Sequence, residues 1–370
     1  MPKILIVYNS AGSGHKRVAQ AIFKEFSIKF KDVKIIDALD YTNSFFKFIY
    51  TDGYFFLSAY LPKIWRFFFY LCENRLLSLF VDFIRFYANR LNSKKLNKFL
   101  IKEKSDIVIG THFFINEVIS FLKKRGSIKS YLISVITDFC AHRFWIQEGV
   151  DLYIVGTKET KKESVKKGVS EDKIKILGIP VDRKFYAPQD KRFLCEGLGL
   201  REDMFTVLIV TGTFGSNMIR EVVDHLKDEI QIICVCGRNK RLFNKLVYRG
   251  YRFTKVYGLV ENMDELMSVS DLIITKPGGS TISEALVKSL PMVFISMIPG
   301  QEEENAKILV DLGIGIIPKN IKDLKRIVFS LKEERTKLYR MRERIREISK
   351  FSTREVIFNE ICKGSCKYSG

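Results

Sequence analysis

The chain has 370 residues and a net charge of +20 at pH 7, and 46% of its residues are hydrophobic while 28% are charged. This composition excludes a disordered chain, and the length indicates about two domains. The positive charge suggests a polyanionic partner or surface, such as nucleic acid, anionic lipid or a phosphorylated ligand. The seven cysteines form no metal-site pattern and favour a reducing compartment, and neither a signal peptide nor a transmembrane helix is predicted.

The first predicted strand, residues 3–8, is followed by a turn with Gly12 and Gly14 and then by a helix. This order often places a phosphate at the helix N-terminus. The turn matches neither the Walker nor the dinucleotide fingerprint, since Arg17 stands where each would need a different residue. An ordinary turn between strand and helix remains an alternative. His15 is the unusual residue, because it would point into the crevice at the carboxyl end of the sheet.

Residues 41–90 interrupt the alternation of strands and helices and hold 18 of the 47 aromatic residues of the chain. Six basic residues are interspersed with only three acidic ones. Aromatic and basic residues mixed at this density resemble helices that lie in a membrane surface. A buried helical insertion is the alternative, and a platform for single-stranded nucleic acid is disfavoured because the segment is too apolar. We predict an aromatic and basic insertion over residues 41–100.

Short apolar runs rich in β-branched residues alternate with helix-forming stretches in both halves of the chain. Such runs are typical of parallel sheets that are covered by helices on both faces. The predicted fold class is α/β, with two Rossmann-like doubly wound domains that face each other across a cleft. We predict an N-terminal domain over residues 1–183, a linker over 184–204 and a C-terminal domain over 205–350. Residues 351–370 are predicted to form a helix that packs back on the N-terminal domain.

The most informative stretch covers residues 270–306 and includes "ITKPGGSTISEAL". A buried strand ends in a glycine turn, and the exposed backbone N–H groups at the start of the next helix would bind an anion. The residues of this predicted diphosphate site are Lys276, Gly278, Gly279, Ser280 and Thr281. An ordinary turn with a solvated helix start would have the same residue types.

Three polar side chains near this turn suit a nucleotide sugar. Glu284 lies one turn into the predicted helix, where its carboxylate would accept hydrogen bonds from a ribose diol. The next strand leads into "PGQEEENA", in which Gln301 and Glu302 begin another helix. Amide and carboxylate groups together suit sugar hydroxyls, which both donate and accept hydrogen bonds. The sequence therefore predicts a pocket for a nucleotide-diphosphate sugar.

Several motifs resemble, in the same order, those of the monogalactosyldiacylglycerol synthase and processive diacylglycerol β-glucosyltransferase family, within glycosyltransferase family 28. They are "AGSGHKRVAQAI", "VITDFCAHRFW", "ILGIPVDRKF", "VYGLVENMDELM" and the two donor-site motifs quoted above. Members are inverting enzymes with two Rossmann-like domains, the GT-B fold. The resemblance covers most of the chain but specifies neither the sugar nor the acceptor.

The resemblance implies roles for individual donor-site residues. Leu259 and Val260 would present backbone to the uracil, Glu284 would bind the ribose, and Asn305 would support Gln301 and Glu302 at the sugar. Further contacts to the nucleotide are implied for Arg238, Asn239, Gly212 and Ser216. The last two lie in "GTFGS", which has fewer glycines than the corresponding family loop. No tightly bound metal or other cofactor is expected, since the UDP-sugar is a substrate.

An inverting transfer needs a base that takes the proton of the acceptor hydroxyl, and histidine titrates in a suitable range. The candidates for this base are His15, Asp138 and His142, of which the last two belong to the T-D-x₃-H motif and would otherwise orient His15 or bind the acceptor. Residues expected to contact the acceptor or the membrane are Gly14, Trp145, Lys63, Trp65, Arg66, Arg75 and Arg85.

The function predicted from these features is transfer of glucose or galactose from a UDP-sugar to a diacylglycerol-type lipid, with inversion. The protein is expected to be peripheral on the cytoplasmic side of the cell membrane, with anionic lipids as partners and no nucleic acid. Transfer of N-acetylglucosamine to a polyprenyl-linked precursor is one alternative. A non-catalytic sensor of UDP-sugar or membrane is the other.

Overall fold

Two parallel β-sheets organise the chain. The computed structural model describes residues 2–73, 77–210, 216–349 and Asn359, and within these ranges each sheet has six strands. Their strands are short, apolar and buried, and helices cover both faces. The predicted α/β class with two Rossmann-like domains is therefore confirmed.

The N-terminal domain contains the first six strands and eight α-helices of the described residues. In chain order these elements are β1 (Ile4–Tyr8), α1 (Ser13–Lys29), β2 (Val33–Asp37), α2 (Ser44–Phe48), α3 (Tyr54–Tyr60), α4 (Pro62–Glu73), α5 (Leu77–Asn92), α6 (Lys94–Glu103), β3 (Ile107–Gly110), α7 (Phe113–Lys124), β4 (Tyr131–Val135), β5 (Leu152–Val155), α8 (Lys158–Lys166) and β6 (Ile174–Ile176). The strand order is β2-β1-β3-β4-β5-β6.

The C-terminal domain repeats this architecture. Its elements are α9 (Lys191–Leu198), β7 (Thr206–Val210), α10 (Ser216–Leu226), β8 (Gln231–Val235), α11 (Lys240–Tyr248), β9 (Thr254–Tyr257), α12 (Met263–Val269), β10 (Leu272–Thr275), α13 (Gly279–Val287), β11 (Met292–Phe294), α14 (Gln301–Asp311), β12 (Gly315–Ile316), α15 (Ile321–Glu333) and α16 (Arg335–Ser349). The strand order is β12-β11-β10-β7-β8-β9.

The predicted insertion is a run of helices between β2 and β3. Helices α2 and α3 are joined by a π-helical turn, Ile49–Gly53, and α4 and α5 follow. Of the 25 large hydrophobic side chains that are exposed among the described residues, 15 lie between Phe45 and Leu91. Within the described ranges, no helix combines the length and the apolar character needed to cross a bilayer. The insertion therefore presents apolar surface on short helices.

The strand orders place a topological switch point in each sheet. In the N-terminal sheet β1 lies between β2 and β3, and in the C-terminal sheet β10 pairs with β7. Ligands of doubly wound sheets bind outside the carboxyl ends of the strands at such points. The loops that follow β1 and β10 carry His15 and the predicted diphosphate turn, so the fold brings both to the cleft.

The predicted linker contains a helix that packs on the core. Residues 184–204 contain α9, whose Cys195 is buried in a core that also includes strands of both domains. The linker is thus partly helical and packed. The predicted C-terminal helix over residues 351–370 lies outside the described residues except for Asn359.

Candidate active site between the two domains

His15 lies in the first turn of α1, directly after the turn that ends β1. Its Nδ1 atom is 2.8 Å from the carbonyl oxygen of Thr111 and 2.8 Å from Oγ1 of Thr137. Because a carbonyl oxygen only accepts, Nδ1 carries the proton and Nε2 retains a lone pair. A Cβ atom at Gly12 would be 3.8 Å from Nε2, so glycine leaves space beside this nitrogen. The geometry gives His15 one basic nitrogen at the cleft.

The surroundings keep His15 uncharged near neutral pH. Burial lowers the pKa of His15 from its ordinary value of 6.5, and the charge of Asp138 opposes this effect. A neutral imidazole is the form that accepts a proton. The carboxylate of Asp138 would stabilise the imidazolium that results.

Two buried aromatic rings support His15 from behind. The ring of His112 lies 4.7 Å from that of His15 in an edge arrangement, and Trp145 lies 6.2 Å away. Nδ1 of His112 accepts the N–H of Phe114 and caps α7, and burial holds the pKa of His112 well below 6.5. Trp145 is only 2% exposed and packs beneath the histidines. The expected contact of Trp145 with a membrane surface is therefore not possible in this position.

Asp138 connects the two domains at the end of β4. Its Oδ1 accepts a hydrogen bond of 2.6 Å from Nε2 of Gln301 and a longer one of 3.4 Å from Nδ2 of Asn305. Oδ1 of Asn305 in turn accepts the N–H groups of Phe139 and Cys140. Two residues predicted to serve the sugar therefore also hold α14 against the N-terminal domain.

His142 lies against the insertion. Its Nδ1 accepts the N–H of Phe144, its ring is 4.6 Å from that of Phe69, and its Nε2 is 3.4 Å from a carboxylate oxygen of Glu73. Burial lowers the pKa of His142 to about 4, against the opposing charge of Glu73. His142 therefore contacts the insertion within its own domain, whereas Asp138 contacts α14 of the other domain.

The glycine turn after β10 forms an open helix start. Gly278 precedes α13 without a side-chain cap, which leaves the first N–H groups of the helix available to an anion. A Cβ atom at Gly279 would overlap the carbonyl oxygen of Thr137, and one at Gly14 would lie 3.4 Å from Oγ of Ser280. The start of α13 is thus directly opposite the histidine loop, with the backbone of Gly279 against the N-terminal domain.

Lys276, which is partly exposed, and the buried Glu302 form an ion pair beside this turn. The Nζ atom of Lys276 is 2.6 Å from Oε1 of Glu302, and Oε2 of Glu302 accepts the N–H of Ile298 at 2.8 Å. The Cβ position of Gly278 is 3.9 Å from the same carboxylate. Glu302 is therefore fixed in orientation next to the predicted diphosphate site.

A cavity of about 140 Å³ opens between the domains beside Glu284 and is lined by Arg17, Val260, Ser280 and the loop around Asp182. The Oε2 atom of Glu284 is buried without a hydrogen-bond partner and lies 3.7 Å from the guanidinium of Arg17. Burial raises the pKa of Glu284 to about 7. A buried acceptor that faces a cavity suits the hydroxyl groups of a ribose.

The predicted uracil contacts lie at the carboxyl end of β8 and β9. The N–H of Gly237 donates to the carbonyl of Gly258, which brings the "CGRN" turn beside Leu259. Asn239 caps α11 by accepting the N–H of Leu242. Leu259 and Arg238 are exposed. Gly212 and the side chain of Ser216 fall outside the described residues.

The basic residues predicted for the membrane differ in position. Lys63 is exposed on α4, next to Trp65, whose ring packs edge-on against Tyr54 at 5.1 Å. Arg66 pairs with Glu303 of the C-terminal domain.

Arg85 is mostly buried, pairs with Glu117 and lies 4.3 Å from the ring centre of Phe144. This corrects the expectation of a membrane contact, because its charge is neutralised inside the domain. Arg75 is outside the described residues.

The site contains one contact that the sequence does not indicate. Thr111 orients His15 through its backbone carbonyl oxygen, and a backbone contact leaves no signature in residue type. Thr137 appears in a quoted motif, but its role in holding His15 follows from the sheet order, which places β4 next to β3. Within the described ranges, no cluster of three or more potential metal ligands occurs.

Comparison with known proteins identifies the family. The family model described as monogalactosyldiacylglycerol (MGDG) synthase matches residues 15–181, and the glycosyltransferase family 28 C-terminal domain matches residues 206–357. A processive diacylglycerol beta-glucosyltransferase of Bacillus thuringiensis is 32% identical over 94% of this chain and 90% of its own length. The chain belongs to this family of diacylglycerol glycosyltransferases. The predicted family is therefore confirmed.

Further similarities agree with this family. A second processive diacylglycerol beta-glucosyltransferase, from Bacillus licheniformis, is 29% identical over 98% of this chain and 95% of its own length. Anabaena Alr3699/HepE in complex with UDP matches with a TM-score of 0.58 and 14% identity, over 99% of this chain and 100% of that one. Phytolacca americana UGT2 matches with a TM-score of 0.64 and 12% identity, over 98% and 100%. The similarity to these structures confirms the GT-B fold.

Proposed function

We propose that this family member transfers a hexose from a UDP-sugar to the hydroxyl of a diacylglycerol-type lipid, with inversion at the anomeric carbon. The names of the curated relatives favour glucose, whereas the name of the family model refers to galactose. The observation that carries the proposal is the position of His15. Its basic nitrogen lies on the N-terminal side of a cleft whose other side is the uncapped start of α13.

In the proposed reaction the lipid hydroxyl oxygen attacks the anomeric carbon while Nε2 of His15 takes the hydroxyl proton. The new bond joins the lipid oxygen to the sugar, and the bond between the sugar and the diphosphate breaks. The electron pair of that bond leaves with UDP, and the N–H groups at the start of α13 stabilise the negative charge. The charge of Asp138 favours the imidazolium form of His15.

Donor binding is assigned mainly to the C-terminal domain. Glu284 would accept hydrogen bonds from the ribose, and the segment at Val260 would present its backbone to the base. Gln301 and Glu302 lie at the start of α14, where a hexose attached to the diphosphate would reach. This arrangement needs the UDP-sugar as a substrate and assigns no role to a metal ion.

Binding to a lipid surface is assigned to the insertion. Helices α2–α5 expose aromatic and aliphatic side chains next to Lys63, and such surfaces bury apolar area at the headgroup boundary. The location proposed is the cytoplasmic side of the cell membrane, where anionic lipids attract basic segments.

The proposed function is tested by incubating the purified protein with membranes and separately labelled UDP-glucose, UDP-galactose and UDP-N-acetylglucosamine. With one of the hexose donors, chromatography of the lipid extract should show a labelled glycolipid. Deacylation of this glycolipid in mild base should give a labelled glycosylglycerol. Label in a polyprenyl-linked product would support the alternative acceptor. Binding of UDP-sugar with no labelled lipid from any donor would support a sensor and contradict the proposal.

A further inference from the structure

Helix α4 has two faces with different surroundings. Arg66, Phe69 and Tyr70 occur at helical spacing on one face and contact the C-terminal domain. Ile64, Phe67 and Phe68, also at helical spacing, are 44%, 64% and 49% exposed on the other. Arg66 and Tyr70 remain about half exposed while their polar ends contact the C-terminal domain, and Phe69 lies between them and is partly buried. One short helix thus presents apolar side chains outward while its inner face lies at the rim of the domain interface.

Charged and polar contacts join this inner face to the first turn of α14. The guanidinium of Arg66 pairs with Oε1 of Glu303, and the hydroxyl of Tyr70 donates to Oε1 of Glu304 at 2.8 Å. The other carboxylate oxygen of Glu303 accepts the N–H of Gly300 at 3.0 Å. Arg66 therefore contacts the same carboxylate that caps α14.

A close packing contact lies between these polar contacts. A Cβ atom at Gly300 would be 2.5 Å from Cγ of Phe69, so the backbone of Gly300 lies directly against this ring. Gly300 also has φ of 81°, a conformation that favours glycine. The ring of Phe69 continues to His142 in the N-terminal domain at 4.6 Å.

The turn held by α4 carries the residues assigned to the donor sugar. Gln301 and Glu302 follow Gly300 directly, and they bond to Asp138 and Lys276 respectively. Both residues belong to the first turn of α14, so a shift of its backbone would carry both side chains with it.

We propose that Arg66, Phe69 and Tyr70 are positioning residues of the transferase, which we call the α4 latch. The latch holds the first turn of α14 in the position that receives the donor hexose. The outer face of α4 is left free to contact a lipid surface, so the two faces of this helix serve separate functions. The inference rests on the proposed function of α14 in sugar binding, and it adds a link between that site and the insertion.

Two neighbouring phenylalanines provide a matched test. Phe69→Ala should raise the KM for the UDP-hexose about tenfold, the order of coupling found between packed neighbours. The affinity of this variant for UDP without the sugar, measured by calorimetry, should stay near wild type. Its sedimentation with anionic vesicles should also stay near wild type. Phe68→Ala, on the outer face, should weaken vesicle sedimentation and leave the KM for the UDP-hexose near wild type. The latch is overturned if the two variants show the same pattern of changes.

A charge exchange separates positioning from general loss of structure. Arg66→Glu and Glu303→Arg should each raise the KM for the UDP-hexose, and the double variant should lose less than the sum of the two, because the ion pair is restored in reverse while the cap that Glu303 provides to Gly300 stays lost. Additive losses in the double variant would contradict the latch. This test also decides the matter if Phe69→Ala does not fold, and Phe69→Leu should then show an intermediate KM.

Failure of the proposed function is distinguished by a binding measurement that needs no turnover. Calorimetry of UDP-hexose against UDP reports what the hexose contributes to binding. The latch predicts that Phe69→Ala reduces this difference while UDP affinity is unchanged. If the wild type transfers no hexose but Phe69→Ala still reduces the contribution of the hexose to binding, the proposed reaction fails and the latch stands. If the wild type is active and the change is absent, only the latch fails.

Discussion

The Nδ1 atom of His15 lies 2.8 Å from the carbonyl oxygen of Thr111, and this contact joins the loops after two neighbouring strands, β1 and β3. It fixes the ring, places the proton on Nδ1 and leaves Nε2 as the acceptor. The same ring is edge-on to His112, which has its own backbone partner and does not compete for Thr111. A basic nitrogen at the cleft is thus held by the sheet and not by a flexible side-chain network.

The first prediction concerns this nitrogen. His15→Ala should lower turnover by roughly 10²–10⁴-fold, the usual contribution of a positioned acid–base group. UDP affinity should change little, since the nucleotide contacts assigned above lie mainly on the C-terminal domain. Turnover at saturating lipid and calorimetric titration with UDP measure the two quantities separately.

The pH profile gives the matching control. Only neutral imidazole accepts a proton, so turnover should rise with pH through the pKa of His15, which burial places below 6.5 while Asp138 raises it. The neighbouring His112 is also held neutral by burial and should not add a second limb. His15→Asn should lack this limb. A variant that keeps near-normal turnover and the same profile would remove His15 from the mechanism and make Asp138 or His142 the next candidate.

The second prediction concerns Glu284, whose Oε2 atom has no hydrogen-bond partner and lies 3.7 Å from the guanidinium of Arg17. Glu284→Ala should weaken UDP binding by roughly 1.5–3 kcal/mol, the value of a hydrogen bond to a charged group. The folded protein should keep its structure, because this oxygen has no hydrogen-bond partner to lose. Calorimetric titration with UDP and a far-UV spectrum test both parts, and unchanged affinity in a folded variant would contradict the ribose role.

The raised pKa of Glu284 also predicts that UDP binding is linked to the release of protons. Burial raises its pKa to about 7, with Arg17 and Lys184 lowering it and Asp182 and Asp264 raising it. The ionised form accepts the hydroxyl donors of a ribose, so UDP binding should lower this pKa and release up to about half a proton at pH 7. Affinity for UDP should therefore fall as the pH falls through about 7.

Calorimetry in two buffers of different ionisation enthalpy measures the protons released. Glu284→Gln should remove the part that comes from this carboxyl and leave any part that comes from the phosphate of UDP. Equal proton release by the variant and the wild type would assign the whole linkage to the nucleotide.

The local motifs predict the fold and the two sides of the cleft well, because they depend on short-range sequence. A strand, a glycine turn and a helix start are adjacent in the chain both at His15 and at Gly279, and parallel sheets bring such turns to one edge. The histidine and the uncapped start of α13 were predicted on this basis. The structure places them opposite each other.

Contacts between distant residues could not be predicted in the same way. Gln301 was expected at the sugar, yet its amide bonds to Asp138, 163 residues away. Arg85 lies in a segment whose composition is typical of membrane binding. Only the packing of α5 against α7 shows that Glu117 neutralises the charge of Arg85. Residue type and spacing are the same for a paired and an unpaired arginine, so the sequence does not distinguish them.

The third prediction concerns the lipid surface. Lys63→Glu should weaken sedimentation with anionic vesicles at low salt by about 1–2 kcal/mol, since each basic residue near such a surface contributes on the order of 1 kcal/mol. The effect should decrease at high salt because the Debye length shortens. Lys322→Glu, an exposed lysine on α15, is the matched control and should bind as the wild type does. Equal losses in both variants would show that only net charge matters.

The last prediction concerns the closest approach of the two domains. Gly279→Ala would direct a methyl group into the carbonyl oxygen of Thr137, which neither backbone can avoid without moving. The start of α13 must then shift away from the histidine loop, and displacement of about 1 Å from the reacting geometry costs on the order of 10² in rate. UDP affinity should fall much less, because Glu284 and Val260 remain within the C-terminal domain. Turnover and UDP calorimetry measure the two effects.

Gly14→Ala is the matched control for this contact, since it adds the same methyl group on the opposite side of the interface. Its Cβ atom would lie 3.4 Å from Oγ of Ser280, an ordinary van der Waals contact, and Gly14 lies within α1, where alanine is favourable. We therefore expect Gly14→Ala to lose much less turnover than Gly279→Ala. Near-normal turnover in Gly279→Ala would show that the domains do not need this approach for catalysis. A large loss in Gly14→Ala would instead place the steric limit at the histidine loop.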